Sequence, residues 1–139
     1  MPVSKALFSS KSDDWATPRA LVEDLEKRFG KFTLDPCATA ENAVCEKFFT
    51  KEQDGLKETW TGNVFMNPPY SKVKDWIKWA WSCSGDGTRV VCLVPSRTDT
   101  AWFHDYALKY GKIEFFRGRI KFMGAKSSAP FPSCLVIFE

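Results

Sequence analysis

The stretch TGNVFMNPPYSK, Thr61 to Lys72, joins an apolar run, Val64-Phe65-Met66, to an abrupt stop, Asn67-Pro68-Pro69-Tyr70. Proline has no N–H to give to a sheet ladder, and it pushes the residue before it toward extended geometry. The run therefore reads as a buried strand whose carboxyl end presents an amide, a main-chain carbonyl and an aromatic ring. Two other strands stop in a similar way. Phe32 to Leu34 runs into Asp35-Pro36, and RVVCLV, Arg89 to Val94, runs into Pro95-Ser96.

Helical patterns lie between these strands. Thr17 as N-cap and Pro18 at the first helical position introduce Leu21, Val22, Leu25 and Phe29 at helical spacing, with Gly30 as the stop. Val73, Trp76, Ile77, Ala80 and Trp81 mark one face of a second helix, and Phe103, Tyr106, Ala107 and Tyr110 mark a third. Within Cys37 to Gly55 a short helix and a short strand are expected around Val44 to Phe49. KIEFF and SCLVIF read as the last strands; no helix separates them, which predicts an antiparallel hairpin. Strands alternating with helices indicate an α/β fold with a mostly parallel sheet. In open α/β sheets ligands bind beyond the carboxyl ends of the strands, so the loops at Asp35, Asn67 and Ser96 should converge on one crevice.

At 139 residues the chain is expected to form one domain, residues 1–139, with residues 1–13 as a flexible N-terminal arm. A hydrophobic share of 44% beside 27% charged residues is ordinary for a soluble globular protein. No run approaches the ~18 apolar residues of a membrane span, and the polar start holds no signal-peptide core, so a cytoplasmic location is expected. The five cysteines are scattered with no CxxC pair, and the one histidine is His104. That pattern argues against a zinc site and for thiols in a reducing compartment. Net charge is only +3, but Lys109, Lys112, Arg117, Arg119, Lys121 and Lys126 share their segment with one acid, Glu114. Such a segment suits a phosphate backbone or a solvated surface.

Asn67-Pro68-Pro69-Tyr70 matches the catalytic motif of amino-group methyltransferases that use S-adenosyl-L-methionine. Together with DWATP (Asp14 to Pro18), LDPCA (Leu34 to Ala38), DGLKETWTGNVFMNPPYS (Asp54 to Ser71) and GRIKF (Gly118 to Phe122), it makes the chain resemble the small phage-type, Dam-like DNA N6-adenine methyltransferases. The resemblance covers Trp15 through Phe138. It implies a compact Rossmann-like methyltransferase fold without a separate target-recognition domain. It also implies phage or prophage origin, in a bacterial host cell, with methylation protecting DNA against restriction.

The chemistry explains the residue types. An exocyclic amine is a poor nucleophile because its lone pair is delocalised into the base. The Asn67 side-chain oxygen and the Pro68 carbonyl, taking its two N–H bonds, would pull the nitrogen toward tetrahedral geometry and stabilise the positive charge that forms. Pro68 and Pro69 fix the backbone, and Tyr70 would stack on a base extruded from the duplex.

The resemblance further implies that Asp35, with Pro36 and Cys37, holds the methionine end of the cofactor. It implies that Asp54 with Gly55 receives the cofactor's adenine amine, and that Trp15, Thr17 and Pro18 line the cofactor pocket. Glu41 and Glu46 both stand as candidates for the ribose hydroxyls. Here the chain departs from the wider methyltransferase pattern, with DPCATAEN in place of a glycine-rich loop. Candidates for nucleic-acid contact are Arg97, Arg117, Arg119 and Lys121. DNA is the expected partner, no metal or membrane is expected, and a homodimer is left open. The rival readings are methylation of protein glutamine or RNA adenine, and a non-catalytic DNA-binding protein on a methyltransferase-like fold.

Overall fold

The computed structural model describes residues 15–139; the expected arm at 1–13 lies outside them. The quoted stretch forms strand β1, Asn63–Met66, with Val64, Phe65 and Met66 buried. It pairs in parallel with β2, Arg89–Pro95, in the register Val64↔Val90 and Met66↔Cys92. Strands β3, Lys112–Phe115, and β4, Ser133–Phe138, pair antiparallel, as the missing helix between them predicts. β4 also pairs antiparallel with β2, Pro95 lying opposite Ser133, which gives the order β1-β2-β4-β3.

This mixed α/β arrangement corrects the expectation of a mostly parallel sheet. Of the three pairings between named strands one is parallel and two are antiparallel. The cause is local: β4 enters between β2 and β3 and is the reversed member of both its pairs, while β1, β2 and β3 run in one direction.

The strand expected at Phe32 to Leu34 is reduced to single parallel bridges, Leu34↔Val64 and Asp35↔Phe48. The Phe65 N–H donates to the Leu34 carbonyl and the Phe49 N–H to the Asp35 carbonyl, each at 3.0 Å. The short helix expected near Val44 does not form; turns and bends occupy the segment. Its backbone N–H groups are taken by side chains instead. The Asn42 side chain accepts from Thr39 N–H, Thr39 Oγ1 from Asn42 N–H, and the Asp35 carboxylate from Val44 N–H. Such local bonds compete with helix formation.

Helix α1, Arg19–Phe29, starts one residue later than expected, because Pro18 rather than Thr17 holds the cap position and supplies no side-chain bond. The Pro18 carbonyl receives Leu21 N–H and Val22 N–H at 3.1 and 3.2 Å. Gly30, at φ +85°, closes the helix in the left-handed region that glycine enters without strain. Helix α2, Val73–Cys83, buries Val73, Trp76, Ile77 and Ala80. The third helical pattern contains a π-helical segment, Phe103–Leu108, with Phe103 and Ala107 buried.

Both faces of the sheet are covered, as the unbroken apolar run of β2 requires. On one face Val64, Met66, Val90, Cys92, Val94 and Val136 meet Trp60 and the buried sides of α2 and the π-helical segment. On the other, Phe65, Val91, Leu93, Leu135 and Ile137 meet Val22 and Leu25 of α1 together with Phe32, Phe122 and Ala129.

Asn63 fastens α1 to the sheet. Its Nδ2 lies 3.1, 3.2 and 3.1 Å from the carbonyls of Phe29, Gly30 and Lys31, the orphan acceptors at the helix end. Replacement Asn63→Ala strips these carbonyls of a shared donor while leaving the core intact. A loss of about 1–2 kcal/mol is expected in urea unfolding, with unchanged m-value; stability equal to the parent would discount this anchor.

Candidate active site

The segment at Leu34, β1 and β2 are mutually parallel, so Asp35, Asn67 and Ser96 emerge at one edge of the sheet. β3 ends and β4 begins at that same edge, with Phe115 opposite Cys134 and Pro95 opposite Ser133. The loop 116–132 is therefore delivered there too, tied by Ser96 N–H to the Pro132 carbonyl at 2.9 Å. The antiparallel insertion adds a wall to the crevice that the parallel strands open.

Asn67 follows the last residue of β1. Its Nδ2 donates to the Trp15 carbonyl and, at 2.9 Å, to Thr17 Oγ1. Oδ1 is buried and has no hydrogen-bond partner among the described residues. A carbonyl oxygen can only accept, so the NH2 end must face Trp15 and the oxygen must face away. The side chain is thus an acceptor held ready, both donors committed. Pro68 beside it is buried, and Pro69 leads into the short turn Tyr70–Lys72.

The Tyr70 ring packs edge-on against Phe131 at 5.1 Å and Phe122 at 6.4 Å. Trp15 joins the same cluster, 5.4 Å from Phe122 and 5.3 Å from Phe131. The Tyr70 hydroxyl is buried without a hydrogen-bond partner among the described residues, and burial pushes its pKa up. It stays a neutral phenol, a hydrogen-bond donor or acceptor rather than a base.

Asp35 is 4% exposed. Its Oδ1 accepts from Cys37 N–H at 3.4 Å and its Oδ2 from Val44 N–H at 3.2 Å. Burial raises its pKa to about 6 against the lowering effect of those two bonds, and no ion pair reaches it among the described residues. Burial, seconded by the charge of Asp35, pushes the Cys45 thiol up to about 12. A buried carboxylate with two oxygens already oriented and no cation partner carries a desolvation penalty that a cation would relieve.

Gly55 brings Asp54 against this loop: a Cβ there would stand 2.1 Å from the Pro36 carbonyl oxygen. The Gly55 carbonyl accepts from Trp60 Nε1 at 2.9 Å. Asp54, at φ +55°, accepts from Leu56 N–H at 3.1 Å, so part of its carboxylate is spent on the turn. Asp35, Pro36, Cys37, Asp54 and Gly55 are thereby gathered on one side of the edge. Glu41 and Glu46 are both exposed.

Arg97, Arg117, Arg119 and Lys121 are exposed. Arg97 follows β2 at the site edge, and Arg119 Nη1 reaches the Ala129 carbonyl at 3.5 Å within the 116–132 loop. Arg117 instead borders a groove of about 290 Å³ beside α1, with Leu21, Arg28 and Phe115. Glu114, the acid of the basic segment, is paired with Arg28 at 2.7 Å and also feels the charge of Lys112. His104 is exposed, its Nε2 2.7 Å from the Thr98 carbonyl, and takes no part in the site. Among the described residues no group of three or more His, Cys, Asp or Glu is placed to hold a metal ion.

Sequence reading missed the Trp15 carbonyl, the Thr17 hydroxyl as a partner of Asn67, and Phe131. Main-chain groups leave no mark in a sequence, and Phe131 sits between prolines in a segment without periodicity. Phe122 ends the GRIKF signature, which could have pointed to it.

A DNA N-6-adenine-methyltransferase of Escherichia phage T1 is 42% identical over 93 residues, 66% of this chain and 39% of the phage protein. The chain thus spans well under half the length of that relative. YfdM of Escherichia coli (strain K12) is 34% identical over 65 residues, 42% of this chain and 71% of its own length. The family described as DNA N-6-adenine-methyltransferase (Dam) matches residues 4–137, nearly the whole sequence. The chain belongs to the DNA N-6-adenine-methyltransferase family.

Proposed function

We propose that this protein methylates N6 of adenine in DNA, using S-adenosyl-L-methionine, at the edge formed by Asp35, Asn67 and Tyr70. One observation carries the reading: Asn67 has both N–H bonds engaged and its buried Oδ1 left over, an acceptor without a donor. A buried acceptor without a donor needs a partner from outside the chain, water or ligand. Asn63 Oδ1 is left over in the same way at the start of β1, so it is the place of Asn67 beside Asp35 and Tyr70 that favours a ligand. Family membership and the likeness to the phage T1 protein support DNA adenine as the substrate. The uncompensated carboxylate of Asp35 fits the ammonium of the cofactor. Asp54 and Gly55 would take its adenine, Pro36 and Cys37 would border it, and Trp15, Thr17 and Pro18 would close the near side. The described residues act as one methyltransferase domain of Rossmann-like build, a reading supported by the common direction of β1, β2 and β3.

When bound, the cofactor supplies a methyl group on a sulfonium, ready for in-line transfer. Asn67 Oδ1 and the Pro68 carbonyl accept from the two N–H bonds of the flipped adenine amine and localise its lone pair. The positive charge that N6 would gain on receiving the methyl group would be stabilised by these two oxygens, and the proton that N6 must then lose would pass out to solvent. Tyr70 holds the base in the water-poor aromatic cluster. The exposed Arg97, Arg119 and Lys121 would follow the phosphates, and their contribution falls with salt.

Incubating the protein with labelled cofactor and DNA, RNA or a glutamine-containing peptide separates the readings. Label on N6 of DNA adenine is expected; label only on RNA or peptide would reassign the substrate, and none on any would favour a non-catalytic DNA-binding role. Replacement Asn67→Ala should lower turnover by about 10²–10³-fold while cofactor affinity stays within about threefold. Normal turnover in that variant would remove Asn67 from the chemistry.

The Asp35 carboxyl gives a pH signature. Its folded pKa is raised, so the apoprotein gains stability on protonation, and this gain is lost as pH rises through about 6. Cofactor ammonium requires the ionised form, so affinity should fall about tenfold from pH 7 to pH 5 by calorimetry. The Asp35→Asn variant should bind weakly and without that slope. A pH-independent wild type would place the ammonium elsewhere.

A further inference from the structure

We infer that Thr17 is a positioning residue: its hydroxyl, with the Trp15 carbonyl, locks the Asn67 amide in the orientation that aims Oδ1 at the substrate amine. The inference rests on the role of Asn67 proposed above and goes beyond it. Thr17 lies 50 positions from Asn67 in the chain, is 6% exposed, and its Oγ1 stands 2.9 Å from Nδ2. It does not serve the helix that follows it, since α1 begins without a side-chain cap. What its hydroxyl meets is the amide.

The need for a lock follows from the symmetry of the amide. Asparagine is nearly the same shape after a half-turn about its last bond, yet that turn exchanges an acceptor for a donor. A donor facing the adenine amine would oppose its N–H bonds and leave the lone pair in the ring. Turned that way, Oδ1 would also meet the Trp15 carbonyl oxygen, two negative ends together. The carbonyl fixes which end faces inward, and Thr17 occupies the second N–H, so neither donor is left to compete at the substrate. Engagement of both N–H bonds also polarises the amide and makes Oδ1 a stronger acceptor for a nitrogen gaining positive charge.

The 15–17 segment is itself held at the site. Ala16 carbonyl accepts from Met123 N–H at 3.0 Å, and the Trp15 ring packs on Phe122 and Phe131. The carbonyl of Trp15 cannot be removed by changing a side chain. The hydroxyl of Thr17 can.

The test compares Thr17→Val, which keeps the shape and removes the acceptor, with Thr17→Ser, which keeps the acceptor. With DNA and S-adenosyl-L-methionine, Thr17→Val should lose about 10–100-fold in kcat, with KM for DNA and cofactor Kd within about threefold, and Thr17→Ser should stay within about threefold of wild type. Wild-type kcat in Thr17→Val, beside an inactive Asn67→Ala, would overturn the inference while sparing the role of Asn67. Full turnover in Asn67→Ala would overturn that role itself. Weaker cofactor binding at preserved kcat in Thr17→Val would make Thr17 a cofactor ligand and equally overturn the inference. Should Thr17→Val fail to fold, exchange of the Asn67 side-chain amide protons, followed by NMR in wild type, decides. Protection of both protons is expected, and exchange of either at the rate of an exposed amide would overturn the lock.

Discussion

Both N–H bonds of one side-chain amide are committed inside the protein before any substrate is present, and the arrangement of the carboxyl edge follows from that commitment. Asn67 cannot donate to the Trp15 carbonyl and Thr17 unless residues 15–17 cross the end of β1. They are kept there by the 116–132 loop, through Met123 N–H and the rings of Phe122 and Phe131. That loop in turn lies at this edge only because β3 ends there and β4 begins there. A reversed strand, an aromatic cluster and a chain segment remote in sequence thus support the aim of a single oxygen.

Much of this was legible from residue pattern. β1 and β4 occupy the positions that NVFM and SCLVIF indicated, because each is an apolar run with a sharp boundary. The apolar faces of α1 and α2 are buried largely as their spacing predicts, with Val22 and Leu25 in one core and Trp76, Ile77 and Ala80 in the other. The gathering of Asp35 and Asn67 at one edge followed from parallel neighbours and proline stops. These are local or periodic signals, and they survive folding because the core rewards the same pattern.

What was not legible depends on tertiary choice. Pairing partners are not written in a strand, so the sheet was expected to be mostly parallel, while β4 pairs antiparallel on both sides. Thr17 has the residue type of a cap, and a cap is its better local use; the amide of Asn67, far along the chain, outbids it. The segment after Asp35 has side chains able to take its own backbone donors, and they do, so no helix forms near Val44. In the last two cases a side chain had two physically sound uses, and a remote partner or a neighbouring turn selected one.

The same edge concentrates the groups that folding leaves unsatisfied. Burial holds the Asp35 carboxyl at a pKa of about 6 against the two backbone bonds that lower it, which near neutral pH leaves a net cost of about 3 kcal/mol. The orphaned Oδ1 of Asn67 and the Tyr70 hydroxyl each add a further penalty, about 1–3 kcal/mol for a buried neutral polar group. A sheet packed on both faces can sustain such losses, since each fully buried large apolar side chain contributes about 1.5–3 kcal/mol relative to exposure. The unsatisfied groups are also of complementary kinds: an anion wanting a cation, and an acceptor wanting an amine. A ligand pair bringing an ammonium to Asp35 and an amino group to Asn67 relieves both at once, so the energy withheld from stability becomes available for binding and orientation. An apolar residue at either position would remove that penalty, but it would orphan the Trp15 carbonyl and Thr17, or the Cys37 and Val44 N–H groups, and leave nothing at the edge to recognise.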